Sequence, residues 1–228
     1  ESDDWGSIRM PSKEVYNALV NSGIRVDNLE YNRYDSLASE TDLEALFEVL
    51  HSVKDCNGKP AIMTANTIVA NPDFDKIREN NFETYYYEPF IETLKRYPQH
   101  SKSFELWKVG IKENVFQPQF HGREHLNVTR WMKDLKLKKA NAHIAFNFRM
   151  YDLSVDKYVG EDTYVESLMM ENENELEVQK EILTTGLDLF ENIFGFRSRT
   201  FIAPCYIWSS KLNKTLFENG VDAFQGNW

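Results

Sequence analysis

The sequence predicts an α/β fold built on a mainly parallel sheet or barrel, and three observations lead there. Short runs of β-branched and aromatic residues alternate with segments of helical apolar periodicity along most of the chain. With 228 residues, 42% of them hydrophobic, the chain can bury one large core. Polar clusters fall where strands give way to helices, the places at which α/β folds collect functional groups. No internal repeat, low-complexity tract or linker divides the chain, so residues 1–228 read as a single domain.

Taken in order, Glu1 to Gly6 reads as the end of a strand. Residues 13–23 form a short amphipathic helix, with Val15, Leu19 and Val20 on one face and Gly23 as its stop. Residues 24–40 are polar and read as a loop. Thr41-Asp42-Leu43-Glu44 reads as a capping box for a helix that carries Leu43, Leu46, Phe47, Leu50 and Val53. Asn57-Gly58 turns the chain into a β-prone run at 60–64, and residues 71–97 read as a long decorated loop with helical patches. A helix at 104–112, a strand at 115–120 and a helix at 126–137 follow, then an alternating strand at 143–148. The longest helical pattern covers 171–194 and ends at Gly195. A strand at 200–203, a helix at 210–218 and the start of another strand at 221–224 complete the order.

A net charge of −10 excludes a nucleic-acid partner, because phosphate binding requires a basic surface. Aromatic residues make up 14% of the chain, enough to permit ring stacking on sugars as well as core packing. Cys56 and Cys205 form no disulfide framework and read as buried thiols. No apolar run reaches membrane-spanning length, which leaves a soluble protein of the cytoplasm or the cell envelope as the expectation. Both ends are abrupt, and the domain reads as truncated at each.

The chemistry centres on His121-Gly122-Arg123-Glu124-His125. On a helix this spacing would put both imidazoles on one face, within reach of one metal ion. A hydrolytic metal site needs about three protein ligands and an open position. His121, His125 and one aspartate of Asp3-Asp4 meet that count and leave the other aspartate free to take a proton from water. The bland alternatives are surface histidines and an aspartate pair in a turn. His143 reads as structural, His51 and His100 as exposed, Trp131 as core, and Trp228 as a further ring for a sugar groove. Tyr85-Tyr86-Tyr87 offers rings for stacking. Asn127-Val128-Thr129 and Asn213-Lys214-Thr215 read as chance glycosylation patterns.

Asp3-Asp4-Trp5-Gly6, the His121 to His125 stretch and the later Pro204 together resemble the NodB-type polysaccharide deacetylases of the fourth carbohydrate esterase family. The match runs in order over nearly the whole chain, on two short motifs and one weaker one. The resemblance implies a distorted (β/α) barrel and a metal-dependent hydrolase that removes acetyl groups from an N- or O-acetylated saccharide. It makes Asp3 the catalytic base, and Asp4, His121 and His125 the ligands of a divalent ion, zinc first, with cobalt, nickel or manganese allowed. Gly122 stands where the family has a hydroxyl residue. Ile202 stands where an arginine orients the base, a role open to Arg199, Arg123 or Arg9. The Cys205 N–H would serve an oxyanion hole. Trp5, Arg123, Tyr206 and Trp208 are the substrate-binding candidates. The family's late Leu-x-His motif, which supplies a general acid, is not found before Trp228. Two alternatives remain open: a catalytically silent carbohydrate-binding domain of the same fold, and a His-x-x-Glu-His zinc peptidase with Glu124 as base and Glu191 as third ligand.

Overall fold

A computed structural model describes residues 1–153 and 163–226. Strand β1 (Ser2–Trp5) leads through α1 (Lys13–Asn21), α2 (Glu30–Tyr34) and α3 (Glu40–Ser52) to β2 (Met63–Ile68). Next come β3 (Ala70–Pro72), α4 (Phe74–Glu79), β4 (Tyr87–Pro89), α5 (Phe90–Arg96) and α6 (Ser103–Lys112). After β5 (Phe116–Gly122) the chain forms α7 (Val128–Lys136) and α8 (Ala140–Asn147). The long α9 (Leu176–Phe194) precedes β6 (Thr200–Ile202), α10 (Asn213–Glu218) and β7 (Ala223–Gln225).

The fold is mixed α/β around a five-stranded sheet in the order β1-β2-β5-β6-β7, with all four pairings parallel. Among the described residues β1 and β7 are its edges, and no pairing closes the sheet into a barrel. Strands β3 and β4 form a separate antiparallel ribbon. Each parallel neighbour is reached by a helical crossover, as parallel pairing requires. Trp107, Phe47 and Phe116 fill the core under β1 and β2; Phe120, Phe190 and Phe201 fill the core under β5 and β6. Trp131 is fully buried beside Phe74 and Phe146, a core residue as expected. The close seat of α9 on β5 depends on Gly186, where an added Cβ would lie 2.8 Å from Phe120 Cζ and 2.9 Å from Arg123 Cβ. That seat fixes the strand end from which His121 projects.

Several local expectations are corrected. Residues 24–40 are not a plain loop: they hold a 3-10 turn, Val26–Asn28, and the helix α2, anchored by the buried Asn32. The capping box of α3 is built by Ser39 and Asp42 rather than from Thr41, because the Ser39 hydroxyl accepts from the Asp42 N–H. Residues 143–147 lie in α8, with Phe148 as its C-cap, instead of forming a strand. Ala142, Ala145 and Phe146 are all buried, and that helical spacing together with the helix propensity of alanine overrides the apparent alternation. His100 is buried, not exposed, within a 3-10 turn against Tyr97. Cys56 and Cys205 are exposed rather than buried, since each lies in a turn. Trp228 lies outside the described residues.

Candidate metal centre

His121 is the penultimate residue of β5 and His125 lies in the turn before α7, so the two rings do not share a helix face. They converge because the chain bends at Gly122, whose φ of 150° is open to glycine and strained for other residues. That bend accounts for glycine where the resembled family has a hydroxyl residue. Beyond it, the Val69 and Ala70 N–H groups donate to the carbonyls of Gly122 and Arg123, extending the β2–β5 contact past the last strand residue.

The third member comes from the other end of the chain. Strand β1 pairs Ser2 with Ala65 and Trp5 with Thr67, so three steps on β1 span two on β2. This irregularity coincides with a φ of 65° at Asp4. It brings Asp4 Oδ1 to 3.1 Å from His121 Nε2 and 3.0 Å from His125 Nε2. Asp4, His121 and His125 can each offer one ligand atom, all within 4.8 Å of one another.

The polar surroundings fit a cation. His121 Nδ1 donates to the carbonyl of Ile202 at 2.8 Å. A carbonyl only accepts, so the neutral His121 ring carries its hydrogen on Nδ1 and presents a lone pair at Nε2. That lone pair faces a carboxylate oxygen, an arrangement of two acceptors that a cation between them relieves. Two imidazoles and a carboxylate are the donor set of many zinc sites, and a ring held by a backbone carbonyl is their usual outer support. Burial pulls His125 below its ordinary range and outweighs the opposing influence of Asp4, which favours the neutral, metal-binding form. Burial pushes the Asp4 carboxyl up, but its contacts with His125 and His121, together with Arg9, hold it well below the usual carboxylate range.

Arg9 braces Asp4 from behind. Its Nη2 donates to Asp4 Oδ2 at 3.1 Å, its Nε stands 2.8 Å from Asp35 Oδ2, and its guanidinium lies 5.1 Å from the Tyr31 ring centre. Burial pushes the Asp35 carboxyl up to about 6, with Arg9 pulling it down and Asp4 pushing it up. Of the three arginines offered for the empty family position, then, Arg9 is the one at the site. Arg199 pairs with Asp222, and Arg123 is turned away. Ile202 contributes through its carbonyl, a role that its side chain does not announce.

Asp3 is exposed and accepts a hydrogen bond from Asn66 Nδ2 at 2.7 Å. Beside the two aspartates an open cavity of about 190 Å³ is lined by Asp35, Trp5, Phe90 and Trp107 among others. Trp5 also packs edge-on against Trp107 and Phe116. Arg123 is buried, donating to Glu124 Oε1 at 2.7 Å and to Thr185 Oγ1 at 2.8 Å under the Tyr87 ring. Cys205 and Tyr206 follow Pro204 with φ of 55° and 58°. Tyr206 is exposed, while the Trp208 indole donates to Asn213 and its ring lies tilted against Phe224. Asn127 is a buried helix cap bonded to the Glu166 and Met169 carbonyls, which closes that glycosylation pattern.

Glu124 carries the peptidase alternative, and its surroundings oppose it. The carboxylate is buried, with Oε1 held by Arg123 and by the Tyr85 hydroxyl at 3.0 Å. Glu191 pairs with Arg197 and is absent from the cluster around the histidines. Asn66, Asp35 and Tyr31 were missed in the sequence. The available signal for Asn66 was a polar residue just past the β-prone run at 60–64, in a setting where a parallel sheet buries both faces of a strand.

No protein-family model matches this chain, and no curated protein matches it. Among solved structures it has a distant likeness to that of IcaB from Ammonifex degensii. The likeness is 11% identical, covers 96% of this chain and 80% of that one, and has a TM-score of 0.35, too slight to carry an argument.

Proposed function

We propose that this chain is a metal-dependent hydrolase that removes acetyl groups from an N- or O-acetylated saccharide, on a sheet that forms part of a distorted (β/α) barrel. The observation that carries the reading is the convergence of Asp4, His121 and His125, with a second, exposed aspartate next to Asp4 in the chain. Asp4, His121 and His125 would hold a divalent ion, zinc first. When bound, that ion would polarise the acetyl carbonyl and make water a better nucleophile at neutral pH.

The remaining chemistry belongs to the chain. Asp3 takes the proton from the attacking water, because its Oδ1 is held by Asn66 while the carboxylate stays open to solvent. Arg9 and the Ile202 carbonyl hold Asp4 and His121 in place. The Cys205 N–H donates to the oxygen on which charge develops, in the left-handed turn after Pro204. Trp5 at the cavity, with Tyr206 and Trp208 beyond Cys205, supplies rings for a sugar. Arg123 has no part at the substrate, since Glu124 and Thr185 engage it.

The test measures bound metal and acetate release from acetylated chitooligosaccharides and small aryl acetates, for the wild type and Asp3→Asn. Release by the zinc-loaded wild type that is lost in Asp3→Asn supports the reading. Metal binding without release favours the silent carbohydrate-binding domain.

A further inference from the structure

We infer that Asn66 is the positioning residue for Asp3, fixing the direction of its carboxylate from the neighbouring strand; the inference rests on the reading of Asp3 as proton acceptor. Asp3 lies on an edge strand, is exposed, and stands at the irregular step between Ser2 and Trp5. An exposed carboxylate on an edge strand is free to rotate unless another side chain holds it. Among the described residues, Asn66 is the side chain bonded to it, with Nδ2 2.7 Å from Asp3 Oδ1.

The chemistry of the pair fixes its direction. A carboxylate accepts, so the amide must turn its NH₂ toward Asp3. Asn66 is itself buried, and a buried amide without a partner is costly, so each residue holds the other in place. The same step in β1 that sends Asp4 to the histidines leaves Asp3 facing Asn66. The arginines that the sequence offered for this role are engaged elsewhere: Arg9 with Asp4 and Asp35, Arg123 with Glu124, and Arg199 with Asp222. A neutral amide thus orients Asp3 while the cation serves Asp4. One oxygen of Asp3 is anchored, and Oδ2 is the one left to meet the water.

The test compares wild type, Asn66→Ala, Asn66→Asp and Asn66→Gln, all loaded with zinc. Asn66→Ala and the near-isosteric Asn66→Asp should lower kcat about tenfold or more. KM and zinc content should stay unchanged, and Asn66→Gln should recover part of kcat by restoring a donor. Values of kcat within about twofold of wild type in both Asn66→Ala and Asn66→Asp would overturn the inference; so would a loss confined to KM or to zinc content. Should the wild type release no acetate, the deacetylase reading falls on its own. Crystal structures of wild type and Asn66→Ala then decide the positioning claim: Asp3 swinging from its direction supports it, and Asp3 unmoved overturns it.

Discussion

Two arginine–carboxylate pairs flank the histidines, built from the same parts and serving different ends. Arg9 lies against Tyr31 and holds Asp4, whose other oxygen faces both imidazoles. Arg123 lies 4.3 Å from the Tyr87 ring centre and holds Glu124, whose bonded oxygen also takes the Tyr85 hydroxyl. The first pair is part-exposed and aimed at the candidate metal position; the second is buried and aimed at neither histidine. Burial works against both charges of the second pair, and its contacts with Glu124 and Tyr85 hold Arg123 protonated. Adjacency in sequence is therefore a poor guide here. Glu124, the immediate neighbour of His125, is a brace, while Arg9, more than a hundred positions away, belongs to the site.

The largest effect separates the site from everything else. Asp4→Ala and His125→Ala should each abolish stoichiometric zinc, read by elemental analysis of purified protein. Full occupancy in both would remove the metal centre and leave the two arginine pairs equivalent. Next comes the brace. Glu124→Ala leaves a buried guanidinium and a buried phenol without their acceptor, and should cost about 3–5 kcal/mol in urea unfolding. Folded protein should still bind zinc, and loss of zinc without loss of stability would instead bring Glu124 into the site.

Arg9→Gln should show the reverse pattern. Zinc affinity should fall about 10–100-fold by competition titration, with a smaller change in unfolding midpoint. Gly186→Ala tests the support under the Arg123 pair and the end of β5. Its added methyl meets Phe120 and the Arg123 side chain, so it should cost about 1–3 kcal/mol, with zinc binding preserved in the folded protein.

The smallest effect concerns reactivity. Although Cys205 is exposed as a residue, its Sγ turns to the Val165 carbonyl at 3.7 Å. Burial of the thiol, with Glu166 and Asp4 nearby, pushes it up to about 11. Only the thiolate reacts, so alkylation in a Cys56→Ser background should be slow at neutral pH and rise about tenfold per pH unit toward that value. Rapid labelling at pH 7 would show that the thiol is not held this way.

The composition of the candidate centre was legible because its ligands are of chemically distinctive types in short motifs at predicted strand ends. Asp3, Asp4, His121 and His125 required no coordinates to be named. The helix spanning α9 and the strands β5 and β6 were legible from apolar periodicity. The supports were not. Asn66, Asp35 and Tyr31 are ordinary polar residues far from either motif, and the Ile202 carbonyl is a backbone atom that every residue carries. The failed strand at 143–148 has a related cause: α8 buries residues on two sides, so its pattern mimics alternation.

By itself, then, the sequence determined which residues could form a candidate metal centre and that strands and helices alternate beneath them, since side-chain type and periodicity are local properties. Tertiary structure alone decided which arginine stands behind Asp4 and which amide holds its neighbour. Those choices follow from one irregular step between β1 and β2 and one bend at Gly122, where strand register and a single backbone torsion bring together groups more than a hundred residues apart.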